Sequence, residues 1–186
     1  MICNDRFRKI YRIESSRLKD WDYSQAGKYF VTICTREKLC YFENPLIKNI
    51  CHDCWLDIPN HFNNVRLGEW IIMPNHVHGI IEIRQYPIVE TPYMASLHKL
   101  TKRTFGLINA SFYKTISRKS HHGLPQIIQS FKSAVSRQCH KLNLAFFWQT
   151  RFYDHIIHDE KELYLINEYI KDNPKNWKSD RNNIIG

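Results

Sequence analysis

The sequence lacks acidic residues over a long internal stretch: residues 91–153 contain no aspartate or glutamate. Over all 186 residues, 27 lysines and arginines face 18 acidic residues, which gives a formal net charge of +9. Such a positive surplus favours a polyanionic partner, nucleic acid before an anionic membrane surface. The sequence has no apolar run near the roughly 18 residues that a membrane-spanning helix needs, and its N-terminus has no apolar signal core. We therefore expect no membrane association.

Two further absences concern cofactors. No glycine-rich phosphate loop is present, so nothing indicates an ATP site. The six cysteines are scattered, and Cys51-x-x-Cys54 has no second pair at zinc-finger spacing. We interpret the cysteines as reduced, partly buried thiols of a cytoplasmic protein, with a zinc site at Cys51 and Cys54 as the alternative.

Hydrophobic periodicity predicts the order strand, helix, strand, strand, helix, strand, helix. The predicted strands are 28–35, 65–73, 76–83 and 145–157, and the predicted helices are 44–62, 124–142 and 159–173. This order is the outline of a ferredoxin-like α+β sandwich, with an antiparallel sheet and helices on one face. The predicted divisions are a basic arm at 1–20, a single domain at 21–178 with a possible basic insertion at 85–122, and a tail at 179–186.

Two histidines stand one residue apart in the predicted strand 76–83. Because strand side chains alternate, His76 and His78 should share one face, with their imidazoles about 6–7 Å apart. The intervening Val77 and the following Gly79 should line the opposite, packed face. Two neutral imidazoles on one face can share a cation, since histidine is the commonest metal ligand. The alternative, favoured for an isolated His-x-His, is that both rings only form hydrogen bonds in a crowded interior.

The last predicted helix carries a candidate nucleophile. Asp159 and Glu162 form a capping box that sets the helix register. In that register Tyr169 and Asn173 follow each other on one stripe, at the border of the buried face. A phenol held there can reach a cleft, and the Asn173 amide oxygen can bind a hard cation. Tyr169 could instead be a core side chain with a solvated hydroxyl, and its rival Tyr164 projects roughly 140° away around the helix.

The stretch without acidic residues combines cations with aromatic rings. Cations that follow a phosphate backbone, together with rings on which unpaired bases stack, are typical of single-strand binding. The alternative is a solvated basic face above core aromatics. Four of its cations are predicted to contact DNA: Lys132, Arg137, Lys141 and Arg151.

The segment MPNHVHGII (73–81) resembles the His-hydrophobic-His signature of the HUH single-strand nucleases. More narrowly, it is similar to the REP-associated tyrosine transposases, bacterial relatives of the small insertion-sequence transposases. The resemblance covers roughly residues 15–178, and further similar segments follow in the same order at 22–35, 130–137, 147–157 and 166–177.

The resemblance implies a function and a role for each motif residue. His76 and His78 would bind Mg²⁺ or Mn²⁺, Asn173 would be the third protein ligand and Tyr169 the nucleophile. The implied activity is cleavage and rejoining of single-stranded DNA at hairpin-forming repetitive extragenic palindromes, through a covalent 5′-phosphotyrosine. The family folds as a ferredoxin-like sandwich with the HUH strand central. We expect a bacterial, nucleoid-associated protein, and both a monomer and a homodimer are compatible with the sequence.

Two other functions use the same features. A domesticated relative would bind DNA hairpins without catalysis, and its basic face would be unchanged. A metal-dependent nuclease would cleave with water and form no covalent link to the protein.

Overall fold

The computed structural model describes residues 6–7, 11–12, 21–85 and 123–183. The predicted insertion lies outside these residues except for residue 85, and most of the predicted arm also lies outside them. Two short strands pair within the arm, Arg6–Phe7 (β1) and Tyr11–Arg12 (β2), a pairing that was not expected from the sequence. None of the helices in the described part of the chain combines the length and hydropathy that crossing a bilayer requires.

The main elements agree closely with the predicted order. The strands are β3 (Gly27–Cys34), β4 (Val65–Met73), β5 (His76–Ile83) and β6 (Tyr153–Ile157). The helices are α1 (Pro45–Leu56), α2 (Ile58–His61), α3 (Leu124–Lys141) and α4 (Glu160–Asp172). Three short 3-10 segments lie at Arg36–Lys38, Tyr41–Glu43 and Trp177–Ser179.

The four long strands form one antiparallel sheet in the order β4-β5-β3-β6. In chain order these are the second, third, first and fourth strands of the domain, which is the ferredoxin-like arrangement. The predicted α+β fold is therefore confirmed. Strand β5, which carries the two histidines, lies between β4 and β3 and is thus an inner strand.

Local signals explain where the helices begin and end. The Asn44 side chain accepts a hydrogen bond from the backbone nitrogen of Leu46, and Pro45 occupies the first turn of α1. The predicted helix 44–62 is interrupted at Asp57, and Pro59 lies inside the short helix α2 that follows.

One face of the sheet packs against α1 and α3. Val77, Ile81 and Ile83 of β5 join this core, as the alternation predicted. The prediction that all helices lie on one face is wrong, because α4 packs on the opposite face. There its Ile166 and Ile170 meet Phe30, Ile80 and Ile157 of the sheet. This second layer is possible because the inner strands carry apolar residues on both of their faces.

The thiols of Cys51, Cys54 and Cys139 belong to the core that contains α1 and α3. Burial raises the pKa of Cys51 well above its usual value and that of Cys54 to about 11. The side-chain amide of Gln138 donates to the Cys54 sulfur at 3.3 Å. Thiols that pack in the core and accept hydrogen bonds agree with the interpretation of these cysteines as buried thiols.

Gly79 on β5 lets α1 approach the sheet. A Cβ atom at this position would lie 2.4 Å from Cζ2 and 2.8 Å from Cη2 of Trp55, a fully buried ring. We predict that Gly79→Ala lowers the free energy of unfolding by about 1–3 kcal/mol, because the overpacked ring must shift. Chemical denaturation measures this change. Gly27→Ala is the control, since its Cβ would make only ordinary contacts of 3.4 Å with Tyr29, and equal losses in both variants would contradict the explanation.

The predicted strand 145–157 is only partly correct. Regular pairing is confined to β6, and segment 145–152 joins the end of β3 through one isolated bridge between Thr35 and Trp148. Hydrogen bonds also hold this segment against α3. The Lys132 amine donates to the carbonyls of Gln149 and Thr150, at 2.6 and 3.1 Å, and the Trp148 indole donates to the Lys132 carbonyl at 3.1 Å.

Candidate metal and nucleophile site

The two histidines project from the same face of β5 into the interior. His76 is 0% exposed and His78 is 1% exposed. Their Nε2 atoms are 3.0 Å apart and their ring centroids 4.4 Å apart, closer than the expected 6–7 Å. The difference arises because the two rings turn their Nε2 atoms toward a common point instead of standing parallel.

The hydrogen bonds of Asn75 determine the tautomer of His76. The Asn75 amide nitrogen donates to the carbonyls of Lys38 and Asn182, at 2.9 and 2.7 Å. Its amide oxygen therefore faces His76 Nδ1, at 2.8 Å. Because an amide oxygen only accepts, Nδ1 of His76 carries the proton and Nε2 presents its lone pair.

Burial keeps both imidazoles neutral. Burial lowers the pKa of His76 to about 3, and the charges of Arg181 and Lys38 act in the same direction. Burial likewise lowers the pKa of His78 well below its usual value, with His76 and Arg181 adding to the effect. Nδ1 of His78 is fixed by Thr32 Oγ1 at 2.8 Å. Neutral imidazoles oriented through Nδ1 are the form that binds metal ions.

The spacing of the two nitrogens suits an octahedral cation. In a site with ligand bonds of about 2.0–2.1 Å, adjacent ligands lie roughly 3 Å apart. The Nε2 atoms of His76 and His78 are 3.0 Å apart. The pair could therefore occupy two neighbouring positions around one divalent ion.

The Tyr169 side chain on α4 contacts His78 of this pair. Its phenol oxygen lies 3.2 Å from Nε2 of His78, and its ring meets Phe30 and His78 edge to face, at centroid distances of 6.0 and 5.2 Å. Burial raises the pKa of Tyr169 to about 12, the Asp180 charge adds to the effect, and a hydrogen bond with the Asn173 side chain opposes it. The rival Tyr164 is 63% exposed on the outer side of α4.

The capping residues of α4 hold Tyr169 in register. Asp159 accepts a hydrogen bond from the backbone nitrogen of Glu162 at 2.7 Å, and Glu162 in turn accepts from that of His158 at 2.8 Å. A second Glu162 oxygen lies 2.8 Å from Nε2 of His155 on β6. The contact between Glu162 and His155 attaches the helix start to the sheet. Helix caps of this kind contribute about 1 kcal/mol each to stability.

Asn173 ends α4 one turn after Tyr169. It is 2% exposed, and its Oδ1 atom has no hydrogen-bond partner among the described residues. A buried oxygen without a partner costs about 1–3 kcal/mol. A bound cation would remove that cost, so the orphaned oxygen is an observation in favour of a metal at this position.

Asp180 is a candidate site residue that the sequence analysis missed. Its carboxylate and the ring nitrogens of His76 and His78 offer ligand atoms that all lie within 4.8 Å of one another. The carboxylate also accepts from the backbone nitrogen of Asn182 at 2.6 Å. Its one signal in the sequence is weak: Asp180 is the only acidic residue after Asp172.

Tertiary contacts place Asp180 beside the histidines. The Lys38 amine donates to the Arg181 carbonyl at 3.0 Å, and Asn75 donates to the Asn182 carbonyl. The Trp177 ring lies 6.1 Å from that of His76. The chain after Pro174 is thus folded back across the end of the sheet where the histidines stand.

The four predicted DNA contacts separate into two pairs. Lys132 and Arg151 line a groove between α3 and segment 145–152, although the Lys132 amine is already bonded to two carbonyls. Arg137 and Lys141 are exposed on α3 outside the lining of this groove.

Comparison with solved structures finds transposases. A REP-associated tyrosine transposase bound to a REP hairpin aligns with 82% of this chain and 69% of its own, at 17% identity and a TM-score of 0.49. A putative transposase from Deinococcus radiodurans aligns with 80% of this chain and 91% of its own, at 15% identity and a TM-score of 0.42.

Comparison with known sequences finds a close relative. No family model matches the sequence. An uncharacterized protein of Haemophilus influenzae is 36% identical over 181 residues, covering 92% of this chain and 93% of its own. At that identity over nearly the full length of both proteins, the chain belongs to the same family as the Haemophilus influenzae protein.

Proposed function

We propose that this chain is a REP-associated tyrosine transposase, a metal-dependent enzyme that cleaves and rejoins single-stranded DNA at hairpin sites. One observation carries the proposal: the Tyr169 hydroxyl lies 3.2 Å from a histidine whose Nε2 atom is 3.0 Å from that of a second histidine. A nucleophile held beside a pair of metal-binding nitrogens is what strand cleavage by tyrosine requires.

The ion would be Mg²⁺ or Mn²⁺, held by His76, His78 and Asn173, with Asp180 as a second oxygen donor. When bound, it would act as a Lewis acid on the scissile phosphate. Asn75 and Thr32 would keep the lone pairs of the imidazoles directed at it through the two Nδ1 atoms. Mixed nitrogen and oxygen donors are compatible with both metals.

Tyr169 would form the covalent intermediate. Its phenol oxygen would bond to phosphorus while the bond from phosphorus to the 3′ oxygen breaks, leaving a 5′-phosphotyrosine and a free 3′-hydroxyl. The raised pKa of Tyr169 means that the phenol is protonated at neutral pH. Its proton must therefore leave as the bond to phosphorus forms. Attack by the 3′-hydroxyl of another strand on the phosphotyrosine would restore the phenol and join the DNA.

The partner would be single-stranded or hairpin DNA, bound through Lys132, Arg137, Lys141 and Arg151. The net charge of +9 supports a polyanionic partner. The bacterial cytoplasm, in association with the nucleoid, is the location that this partner suggests. A monomer and a homodimer are both compatible with the proposal.

The direct test is an SDS-stable adduct. Purified protein with Mn²⁺ and a single-stranded hairpin oligonucleotide should form a covalent protein–DNA species, and chelation of the metal should prevent it. Cleaved DNA without adduct would favour a nuclease that uses water. Binding without cleavage or adduct would favour a hairpin-binding protein without catalysis.

The oxygen ligands can be tested separately from catalysis. We predict that Asn173→Ala and Asp180→Asn each weaken Mn²⁺ binding by at least about tenfold, because one removes an oxygen and the other a charge. Electron paramagnetic resonance of free Mn²⁺ measures the affinity. Asp172→Asn is the control, since that carboxylate pairs with Lys175 outside the site. An unchanged affinity in either test variant would remove that residue from the ligand set.

A further inference from the structure

A groove runs between α3 and segment 145–152, outside the candidate metal site. Its cavity volume is about 830 Å³, within the range of roughly 300–1,000 Å³ that is typical of ligand pockets. Helix α3 contributes Ile128, Lys132 and Ser136 to its wall, and the segment contributes Phe147 and Arg151.

The groove is positively charged. Arg36, Lys132 and Arg151 line it, and no lining residue in the described part of the chain is acidic. Lys132 holds the carbonyls of Gln149 and Thr150 and thereby fixes the segment against the helix. Arg36 and Arg151 are exposed, so their guanidinium groups can meet an anion. The charge excludes a cationic ligand and suits phosphate.

Phe147 lines the groove with an aromatic ring that is not packed in the core. Its neighbours Phe146 and Trp148 pack in the core, whereas Phe147 is 43% exposed. The Arg36 guanidinium carbon lies 5.0 Å from the centre of the Phe147 ring. An exposed ring beside a guanidinium is a surface on which a nucleobase stacks.

The groove is connected to the metal site through the end of β3. The backbone nitrogen of Gln149 donates to the Cys34 carbonyl, and that of Arg36 donates to the Phe147 carbonyl, both at 2.9 Å. On the other side of β3, Cys34 pairs with His76. The groove and the histidines thus lie at the same end of the sheet, on either side of β3.

We propose that this groove binds unpaired nucleotides of single-stranded DNA, with a base stacked on Phe147 and a phosphate on Arg36 or Arg151. The substrate class rests on the proposed function, which it extends by a binding subsite for the strand next to the hairpin. Binding there requires neither the metal nor Tyr169.

Binding by variants tests the groove without catalysis. In a Tyr169→Phe background with chelator, fluorescence anisotropy would compare a hairpin that carries a single-stranded extension of about six nucleotides with a blunt hairpin. Phe147→Ala should weaken binding of the extended hairpin about tenfold and leave binding of the blunt one unchanged. Arg151→Ala should also weaken binding of the extended hairpin about tenfold, a larger loss than for the blunt hairpin. The controls are Tyr164→Ala and Lys175→Ala, an exposed ring and an exposed cation elsewhere. Test variants that bind the extended hairpin as the controls do would overturn the inference.

Photocrosslinking gives a second, independent readout. With 5-iododeoxyuridine in the extension, the crosslinked tryptic peptide should be 142–151, which contains Phe147. Crosslinks only to other peptides would overturn the inference even if affinity fell. If the groove binds DNA but the wild-type protein with Mn²⁺ forms no adduct, only the proposed function is contradicted. Adduct formation with no effect of Phe147→Ala on binding would contradict this inference alone.

Discussion

Replacing Tyr169 with phenylalanine should abolish the covalent adduct with DNA and leave DNA binding intact. The substitution removes one oxygen atom, which lies 3.2 Å from His78 Nε2. The ring keeps its edge-to-face packing on Phe30, so the fold should lose only about 1 kcal/mol with the hydrogen bond. Without the phenol oxygen no bond to phosphorus can form, and the adduct should be undetectable on a denaturing gel.

Tyr164→Phe is the matched control for this variant. Both tyrosines lie on α4, five residues apart, but Tyr164 is 63% exposed on its outer side. The control should form the adduct at the wild-type level, and both variants should bind the hairpin within about twofold of wild type. An adduct in Tyr169→Phe would show that another residue is the nucleophile.

The second large effect is expected on metal binding. His78→Ala should weaken Mn²⁺ binding by more than about 100-fold, because loss of a direct ligand should exceed the 10–100-fold cost of losing a supporting residue. It should also remove thermal stabilisation by the ion, which for wild type would reach about 2.7 kcal/mol at 100 times the dissociation constant. Titration calorimetry and thermal unfolding with and without Mn²⁺ measure the two effects.

His61→Ala is the control for metal binding. His61 is exposed on α2, where it pairs with Asp57 at 2.9 Å, and it lies outside the buried pair. It should bind Mn²⁺ as wild type does. Equal binding by His78→Ala would show that the two imidazoles form only hydrogen bonds in the interior, which was the alternative for an isolated His-x-His.

Much of the fold and part of the site could be predicted because they depend on local periodicity. Alternation in β5 placed His76 and His78 on one face, and the Asp159 cap set the register that points Tyr169 inward and Tyr164 outward. These patterns depend on residues close in sequence. The short distance between the Tyr169 phenol and the two imidazoles depends on how α4 crosses the sheet. Periodicity alone does not determine that crossing.

The missed site residue and the incorrectly predicted strand have the same physical cause, because tertiary contacts determine both. Asp180 follows Pro174 in a segment without periodicity, and its position is set by hydrogen bonds of that segment to Lys38 and Asn75. Segment 145–152 has the composition of a strand, but it pairs with the end of β3 only at Thr35 and Trp148, and Lys132 of α3 binds two of its carbonyls. In both cases the decisive partner lies far away in sequence.

The most direct measurement is the identity of the residue that carries DNA after cleavage. Trypsin should release residues 162–171, ELYLINEYIK, from the trapped adduct, and this peptide contains both Tyr164 and Tyr169. Fragmentation in the mass spectrometer should place the 5′-phosphorylated nucleotide on Tyr169. A nucleotide on Tyr164 or on any other peptide would contradict the account.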